Sequence, residues 1–108
     1  MQTTNNAVMI VSMVAKGVAD DVANRVREMT QSKISIFYGS VHSGEKGFLG
    51  IPLNEEVVEI LCVVEQSEVD GVVNAISEIG RMDELGRGYI VTIPSVGVMI
   101  PSPKDGSA

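Results

Sequence analysis

The hydrophobic positions of the chain fall into two similar halves, each with an apolar run followed by a helical stripe. Residues 7–14 are rich in valine, isoleucine and methionine, a composition that favours a strand. Beyond them, apolar residues recur with the spacing of one helix face, at Val18, Val22, Val26 and Met29. The second half repeats this order, with a run at residues 57–64 and a stripe at Val69, Val72, Val73, Ile76 and Ile79. Each half therefore predicts one strand and one amphipathic helix.

Local signals indicate where these helices begin and end. Gly17 stands directly before the first stripe and is a tolerable N-cap. Ser67, with Asp70 three residues later, resembles a capping box at the start of the second helix. Gly80 follows the second stripe and is a plausible stop.

The two halves also match residue by residue. A shift of 50 positions overlays them without a gap. The identical residues are Val8, Ile10, Val14, Asp20, Val22, Asn24 and Glu28, which meet Val58, Ile60, Val64, Asp70, Val72, Asn74 and Glu78. Shared helix chemistry alone can produce some of these matches, but the pattern favours an internal β-α duplication.

A further extended segment follows each predicted helix, at residues 33–42 and 88–94, the latter ended by Pro94. Right-handed crossovers applied to this order predict an α+β fold, a ferredoxin-like βαββαβ sandwich. Its four-stranded antiparallel sheet carries both helices on one face. Residues 96–100 could add a short fifth strand. We expect one domain over residues 1–108, with residues 1–6 and 101–108 as mobile tails.

One face of such a sheet stays bare, although the strands are apolar on both faces. The run at residues 57–64, for example, is interrupted only by Glu59. An apolar sheet face needs a cover. Self-association is the simplest cover for a short chain, so we expect a homo-oligomer.

Composition and charge exclude several classes of protein. The chain of 108 residues has a net charge of −6 and four aromatic residues, with no tryptophan. The absence of a basic stripe and the small number of aromatic residues argue against nucleic-acid binding as the main function. The apolar runs are far shorter than the ~18 residues of a membrane span, so we expect a protein that is not membrane-embedded. The single cysteine, Cys62, excludes an internal disulfide and fits a cytoplasmic location.

Two loops are the best candidates for a functional site. Residues 39–52 contain four glycines, with Phe48 and Leu49 near the end, and loops of this length are often functional. The second loop places Arg87 between Gly86 and Gly88. Backbone N–H groups and a guanidinium can converge there on an anion. A plain turn with a solvated arginine would have the same short sequence.

Other residue types give weaker signals. His42 and Glu45 are too few ligands for a metal site, and no Ser-His-Asp arrangement can be assembled around this one histidine. Cys62 lies within an apolar strand, as a core thiol would. The six methionines are expected to fill the core.

The segment order and several short motifs resemble the nitrogen regulatory P-II signalling family, over residues 7–99. The motifs are the long loop after the second strand, the Gly-Arg-Gly-Tyr-Ile-Val stretch at residues 86–91, the valine-rich residues 96–99, and Phe-Leu-Gly-Ile-Pro-Leu at residues 48–53. The last is especially similar to a P-II-like branch with a short loop.

The resemblance implies a non-enzymatic regulator, built as a cytoplasmic homotrimer that binds an adenine nucleotide (ATP, ADP or AMP) between subunits. Residues 39–52 would form the T-loop, which acts on a membrane transporter or a metabolic enzyme. The implied ligand-binding residues are Gly39, Ser40, Gly86, Arg87 and Gly88. The implied partner-binding residues of the loop are His42, Lys46, Phe48 and Leu49.

The chain departs from that family in three respects. Its T-loop is short, the loop contains no tyrosine, and residues 96–103 contain no base. The family closes its nucleotide site with arginines in that C-terminal segment. A mono- or diphosphate, a cyclic nucleotide or a small carboxylate is therefore an equal alternative to ATP.

Two other functions compete with this interpretation. A small ferredoxin-like oligomeric enzyme could hold its substrate with Arg87 and use His42 or Tyr38 as acid or base. A metal-handling trimer similar to the CutA-type proteins would share the architecture, although it would have to work with a single histidine.

Overall fold

The computed structural model describes residues 2–30, 34–38 and 57–101 of the chain. These residues form four strands and two helices in the order β-α-β-β-α-β, and each β-α connection is a short 3₁₀ turn. The elements in chain order are β1 (Gln2–Ala15), a 3₁₀ turn (Lys16–Val18), α1 (Ala19–Met29), β2 (Ile34–Tyr38), β3 (Val57–Glu65), a second 3₁₀ turn (Gln66–Glu68), α2 (Val69–Ile79) and β4 (Tyr89–Ile100).

The structure keeps the 50-residue offset of the sequence repeat. β1 ends at residue 15 and β3 at residue 65, and the two 3₁₀ turns and the two α-helices have matching bounds. The same spacing of apolar positions therefore builds the same strand, turn and helix twice.

The strands form one antiparallel sheet in the order β2-β3-β1-β4. This is the predicted four-stranded, ferredoxin-like arrangement. The two long strands β1 and β4 are neighbours along most of their length, and the molecule is elongated, at 50 × 26 × 23 Å. The predicted α+β, ferredoxin-like fold class is confirmed, and the structure adds the order of the strands.

The core lies between one face of the sheet and both helices. Alternate residues of β1 and β3 are buried there against α1 and α2. The cluster comprises Val8, Ile10, Val14, Ala19, Val22, Val26, Val58, Ile60, Cys62, Val64, Val72 and Ile76. Ser12 is also fully buried in β1, and its hydroxyl donates to the Ile60 carbonyl at 3.3 Å. That bond offsets the cost of burying a polar side chain.

The opposite face of the sheet, the open face, is apolar too, and neither of the described helices packs on it. Registered neighbours of three strands share it, in rows such as Val63, Met9 and Ile93, or Leu61, Val11 and Val91. These side chains are half-buried or exposed in the single chain, and Ile93 is 39% accessible. Both sheet faces are therefore apolar, as the sequence predicts, and the described residues cover only one of them.

Three sequence predictions about the strands were wrong. Residues 2–6, expected to be a tail, belong to β1, and three of them pair with β4. Pro94 does not end β4, and residues 96–100 continue β4 instead of forming a fifth strand. Proline is tolerated in β4 because β4 lies at the edge of the sheet. There, the N–H that proline lacks would not have paired with a neighbouring strand. Ser95, at φ 58°, adapts the strand to a register shift beside β1.

The helix starts differ from the predicted ones, whereas α2 ends at the C-cap Gly80, as predicted. Gly17 lies within the first 3₁₀ turn and is not an N-cap. The capping box before α2 is formed by Glu65 and Glu68 instead of Ser67 and Asp70. The 3₁₀ turn explains the difference, because it moves the first unsatisfied N–H groups two residues towards the N-terminus.

The two ends of the sheet differ. At one, the turn end, β1 and β2 end while β3 and β4 begin. At the other, β1 and β4 extend past β3 as a two-stranded ribbon of residues 2–6 and 96–100. None of the helices in the described ranges is long and apolar enough to cross a membrane.

Candidate functional site

The glycine-arginine segment singled out from the sequence lies in the connection between α2 and β4, at the turn end. Consecutive tight turns build this connection. The amide of Glu84 donates to the Arg81 carbonyl at 3.0 Å, and the amide of Arg87 donates to the Glu84 carbonyl at 3.3 Å. The backbone around Arg87 is thus held by local hydrogen bonds and by the start of β4.

The two glycines beside Arg87 have backbone conformations that other residues rarely adopt. Gly86 has φ 86° and Gly88 has φ 147°. A Cβ at Gly88 would lie 1.9 Å from the carbonyl oxygen of Met13. Glycine at residue 88 therefore allows β4 to begin in close contact with the backbone of β1. This packing role is independent of any ligand.

Arg87 is the basic residue nearest in sequence to the start of β4. Its side chain is half-buried, and its Nε atom is buried. The other arginine of the connection, Arg81, is exposed and pairs with Glu84, with 3.2 Å between Nε and the carboxylate oxygen. The fold thus engages Arg81 within the connection itself and places Arg87 where the strands meet.

Leu85 is an exposed apolar residue of this connection. It is 83% accessible, more than any other large hydrophobic residue among those described. Sequence reasoning did not single it out. An exposed leucine next to a held arginine gives the turn end an apolar group beside a cationic one.

The other predicted site residues cannot be placed against Arg87. Gly39, Ser40, His42, Lys46, Phe48 and Leu49 lie outside the described residues. The connection from β2 to β3 does leave and re-enter the sheet at the turn end, since Tyr38 and Val58 are registered partners. The loop that contains those residues is therefore anchored at the same end as Gly86, Arg87 and Gly88.

A second concave region lies at the ribbon end and was not predicted from the sequence. It is a cavity of about 670 Å³. Its apolar walls are Ala7, Val63, Val64 and Val98, and its polar walls include Glu65, Gln66 and Ser67. The capping box already engages Glu65 with the backbone of the 3₁₀ turn. This cavity continues the open face beyond the end of β3.

The described residues offer little for metal or thiol chemistry. They contain no group of three or more His, Cys, Asp and Glu side chains that could hold a metal ion. Cys62 is a buried free thiol. Burial, together with the negative charge of Glu68, raises its pKa to about 11, so the nucleophilic thiolate is scarce at neutral pH. Cys62 is a core residue, as predicted.

Comparison with known proteins identifies the fold. Neither a protein-family model nor a curated protein matches the chain. Among solved structures, a DUF3240 family protein from Shewanella baltica matches with a TM-score of 0.61 and 10% identity, over 92% of this chain and 100% of that one. PII of Arabidopsis thaliana, bound to citrate, matches with a TM-score of 0.53 and 21% identity, over 83% of this chain and 78% of that one.

These likenesses define the class of protein as α+β with a ferredoxin-like fold. Within that class, the chain has a PII-like fold.

Proposed function

We propose that the chain is a PII-like, non-enzymatic regulatory protein that binds a small anion and acts on a partner protein through residues 39–52. The observation that supports this most directly is the PII-like fold. The same fold supports a cytoplasmic homotrimer as the working assembly.

The open face favours the oligomer. It presents rows of apolar side chains, such as Met9, Val11 and Leu61, without a helix to cover them. Covering apolar surface contributes roughly 25 cal/mol per Å². A second and a third copy of the chain supply the same apolar surface, so the sheets of three copies can cover one another.

The turn end favours an anion as effector. Arg87 is held there between two glycines, and a guanidinium binds carboxylates and phosphates through paired hydrogen bonds. A chain with a net charge of −6 has few cations to offer. Citrate, the ligand of the Arabidopsis neighbour, and adenosine mono-, di- and triphosphates are therefore the first anions to test.

The loop of residues 39–52 is the proposed regulatory segment. Both of its ends join the sheet at the turn end, where Arg87 lies. An effector that contacts one arrangement of the loop better than another shifts the population towards it. Phe48 and Leu49 would then contact the partner, a transporter or a metabolic enzyme.

Calorimetric titration of the purified protein with citrate, AMP, ADP, ATP and a cyclic nucleotide tests the effector. We expect at least one anion to bind. Substitution Arg87→Ala should weaken that binding at least about tenfold, since a hydrogen bond to a charged group contributes about 1.5–3 kcal/mol. Light scattering on the same sample reports the mass of the assembly.

Arg25→Ala is the matched control, because Arg25 is an exposed arginine on α1 that pairs with Glu28 of the same helix. It should leave the affinity unchanged. Binding that survives Arg87→Ala, or an absence of binding by every anion, would contradict the effector half of the proposal.

A further inference from the structure

The edges of the sheet differ in how well they can pair with an additional strand. β2 is an edge strand, and its outer edge has no strand partner among the described residues. β1 is an inner strand only from Ala7 onward, because its pairing with β3 stops at Glu65. Residues 2–6 therefore pair with β4 on one side and present a second free edge on the other, again within the part of the chain described here.

The remaining edge, on the outside of β4, is poorly suited to pairing. Pro94 lies in the middle of β4 and has no N–H to donate. The next residue, Ser95, has a positive φ of 58° at a register shift. Prolines and irregularities of this kind protect an edge strand from adding another strand. β2 and residues 2–6 contain no proline, so every residue in them has an N–H to donate, although residues 2–6 also include a register shift before Ala7.

These two free edges match each other in length. β2 has 5 residues, and the unpaired stretch of β1 spans residues 2–6. The cavity at the ribbon end lies beside that stretch, and Ala7, Val63 and Val98 line it. A strand added to residues 2–6 would continue the line of β3 and pass over this apolar cavity.

We propose that β2 of one copy of the chain pairs with residues 2–6 of the next copy. This proposal rests on the self-association of the proposed function and deepens it, because it names the segments that join the copies. The contact is heterologous, since two different edges meet. Repetition of such a contact produces a ring when its rotation closes, and the open faces then turn towards one another.

The two segments cannot meet within one chain. Ile36 is registered with Ile60, and Ile60 with Ser12, so β2 lies level with the second half of β1. Thr4 is eight residues further along β1, which corresponds to roughly 26 Å at ~3.3 Å per residue. Any link between Thr4 and Ile36 must therefore join two copies.

A disulfide between engineered cysteines tests this contact. Thr4 and Ile36 are the central residues of the two segments, so a variant with both Thr4→Cys and Ile36→Cys is treated with oxidised glutathione. Two thiols then form one interchain disulfide, and one glutathione disulfide is reduced to two thiols. At about 10 µM protein we expect cross-linking about a hundredfold faster than by random collision, because paired strands hold the thiols at millimolar effective concentration. The natural Cys62 is buried and contributes little.

A variant with Thr4→Cys and Asn24→Cys is the control, because Asn24 is an exposed residue of α1 outside the proposed contact. It should cross-link only at the collision rate. Variants with Ser35→Cys or Phe37→Cys in place of Ile36→Cys cover a shift of one residue in register.

Hydrogen exchange on the unmodified protein gives an independent answer if a variant folds poorly. Pairing on both sides protects successive amides of residues 2–6, whereas pairing with β4 alone protects only alternate ones. An oligomer without cross-link and with alternate protection would overturn the edge contact but leave the proposed function standing. A mass in solution equal to that of one chain would contradict both the edge contact and the proposed assembly. In that case the Arg87→Ala titration alone would test the anion-binding part of the proposed function.

Discussion

Gly88 combines the demands of backbone geometry and packing in one position. Its φ is 147°, and a Cβ there would lie 1.9 Å from the Met13 carbonyl oxygen. A side chain can be accommodated only if the start of β4 moves away from β1. Because this segment also carries Arg87, the position of the proposed anion-binding group depends on the absence of a side chain at residue 88.

We predict that Gly88→Ala lowers the free energy of unfolding by about 2–4 kcal/mol, since it adds both backbone strain and a steric overlap. Urea denaturation followed by circular dichroism measures this change. Gly17→Ala is the control, because a Cβ at Gly17 would meet nothing within 4 Å. It should leave the stability unchanged or raise it by up to about 1 kcal/mol. Equal effects of the two substitutions would contradict the packing role of Gly88.

A second prediction concerns the reactivity of Cys62. Its pKa is raised from 9.0 to about 11 in the folded chain. At pH 8 the folded protein should therefore react with iodoacetamide about 100-fold more slowly than the urea-unfolded protein from the difference in pKa alone. Burial of the sulfur slows the folded protein further.

The raised pKa also predicts how the labelling rates of the folded and unfolded protein change with pH. The folded state retains the thiol proton up to pH 11, whereas the unfolded state loses it near pH 9, so the labelling rate of the unfolded chain levels off first. The rate of the folded chain should keep rising towards pH 11. Mass spectrometry of the labelled protein follows both rates, and equal rates at pH 8 would show that Cys62 is not a core thiol.

At the scale of the elements, the start of α2 depends on a reciprocal pair of hydrogen bonds. The amide of Glu65 donates to the Glu68 carboxylate at 3.0 Å, and the Glu65 side chain accepts a backbone N–H in return. The pair fixes the 3₁₀ turn between β3 and α2. It also fixes the polar wall of the cavity at the ribbon end.

We predict that Glu68→Ala lowers the free energy of unfolding by about 0.5–2 kcal/mol through loss of this cap. Glu68→Gln should retain most of the stability, because an amide oxygen can accept the same N–H. Glu78→Ala, at an exposed position of the same helix, should change the stability by less than about 0.5 kcal/mol. Thermal and urea unfolding of the three variants test this order. A Glu68→Ala variant as stable as the natural chain would exclude the cap as a stabilising feature.

The sequence was sufficient to predict the elements and their order, since both depend on the spacing of apolar residues. Val22, Val26, Val72 and Ile76 were predicted on the core faces of the helices, and all four are buried. The 50-residue repeat likewise predicted that β-α units would recur. The spacing of apolar residues indicates which side of a strand or helix is buried, and the same sides are buried in the structure.

The features that the sequence could not predict depend on where a residue lies within the sheet. Pro94 is a strand terminator in general but is tolerated in β4, because β4 is an edge strand. The polar residues 2–6 have no periodic signal, yet they form part of β1, since β4 is long enough to pair with them. The cavity beside them is formed by residues far apart in sequence, such as Ala7 and Val98, and no local pattern could show it.

At the scale of the whole molecule, the open face is the surface through which we propose that copies of the chain associate. We predict that Val11→Lys breaks the proposed assembly and reduces the mass in solution to that of a single chain of 11.5 kDa. Val11 lies between Leu61 and Val91 on that face, and burial of an unpaired ammonium group there would be costly. Size-exclusion chromatography with light scattering measures the mass.

The single chain should remain folded, because Val11 does not belong to the core that lies between the sheet and the helices. Circular dichroism checks this. Asn24→Lys, which adds the same charge on the exposed side of α1, should leave the mass of the assembly unchanged. An unchanged mass for Val11→Lys would show that the copies do not meet through the open face.

The strand order has a consequence for how the chain acquires its structure. Although the two halves repeat each other, the sheet order β2-β3-β1-β4 interleaves them, with β1 of the first half between β3 and β4 of the second. Neither half can complete its own sheet, so the repeat units are not independent folding units. Both edges of β1 can be paired only after β3 and β4 have been synthesised. Contacts between such distant segments slow folding, so we expect the nascent chain to stay incomplete until almost all of β4 has been made.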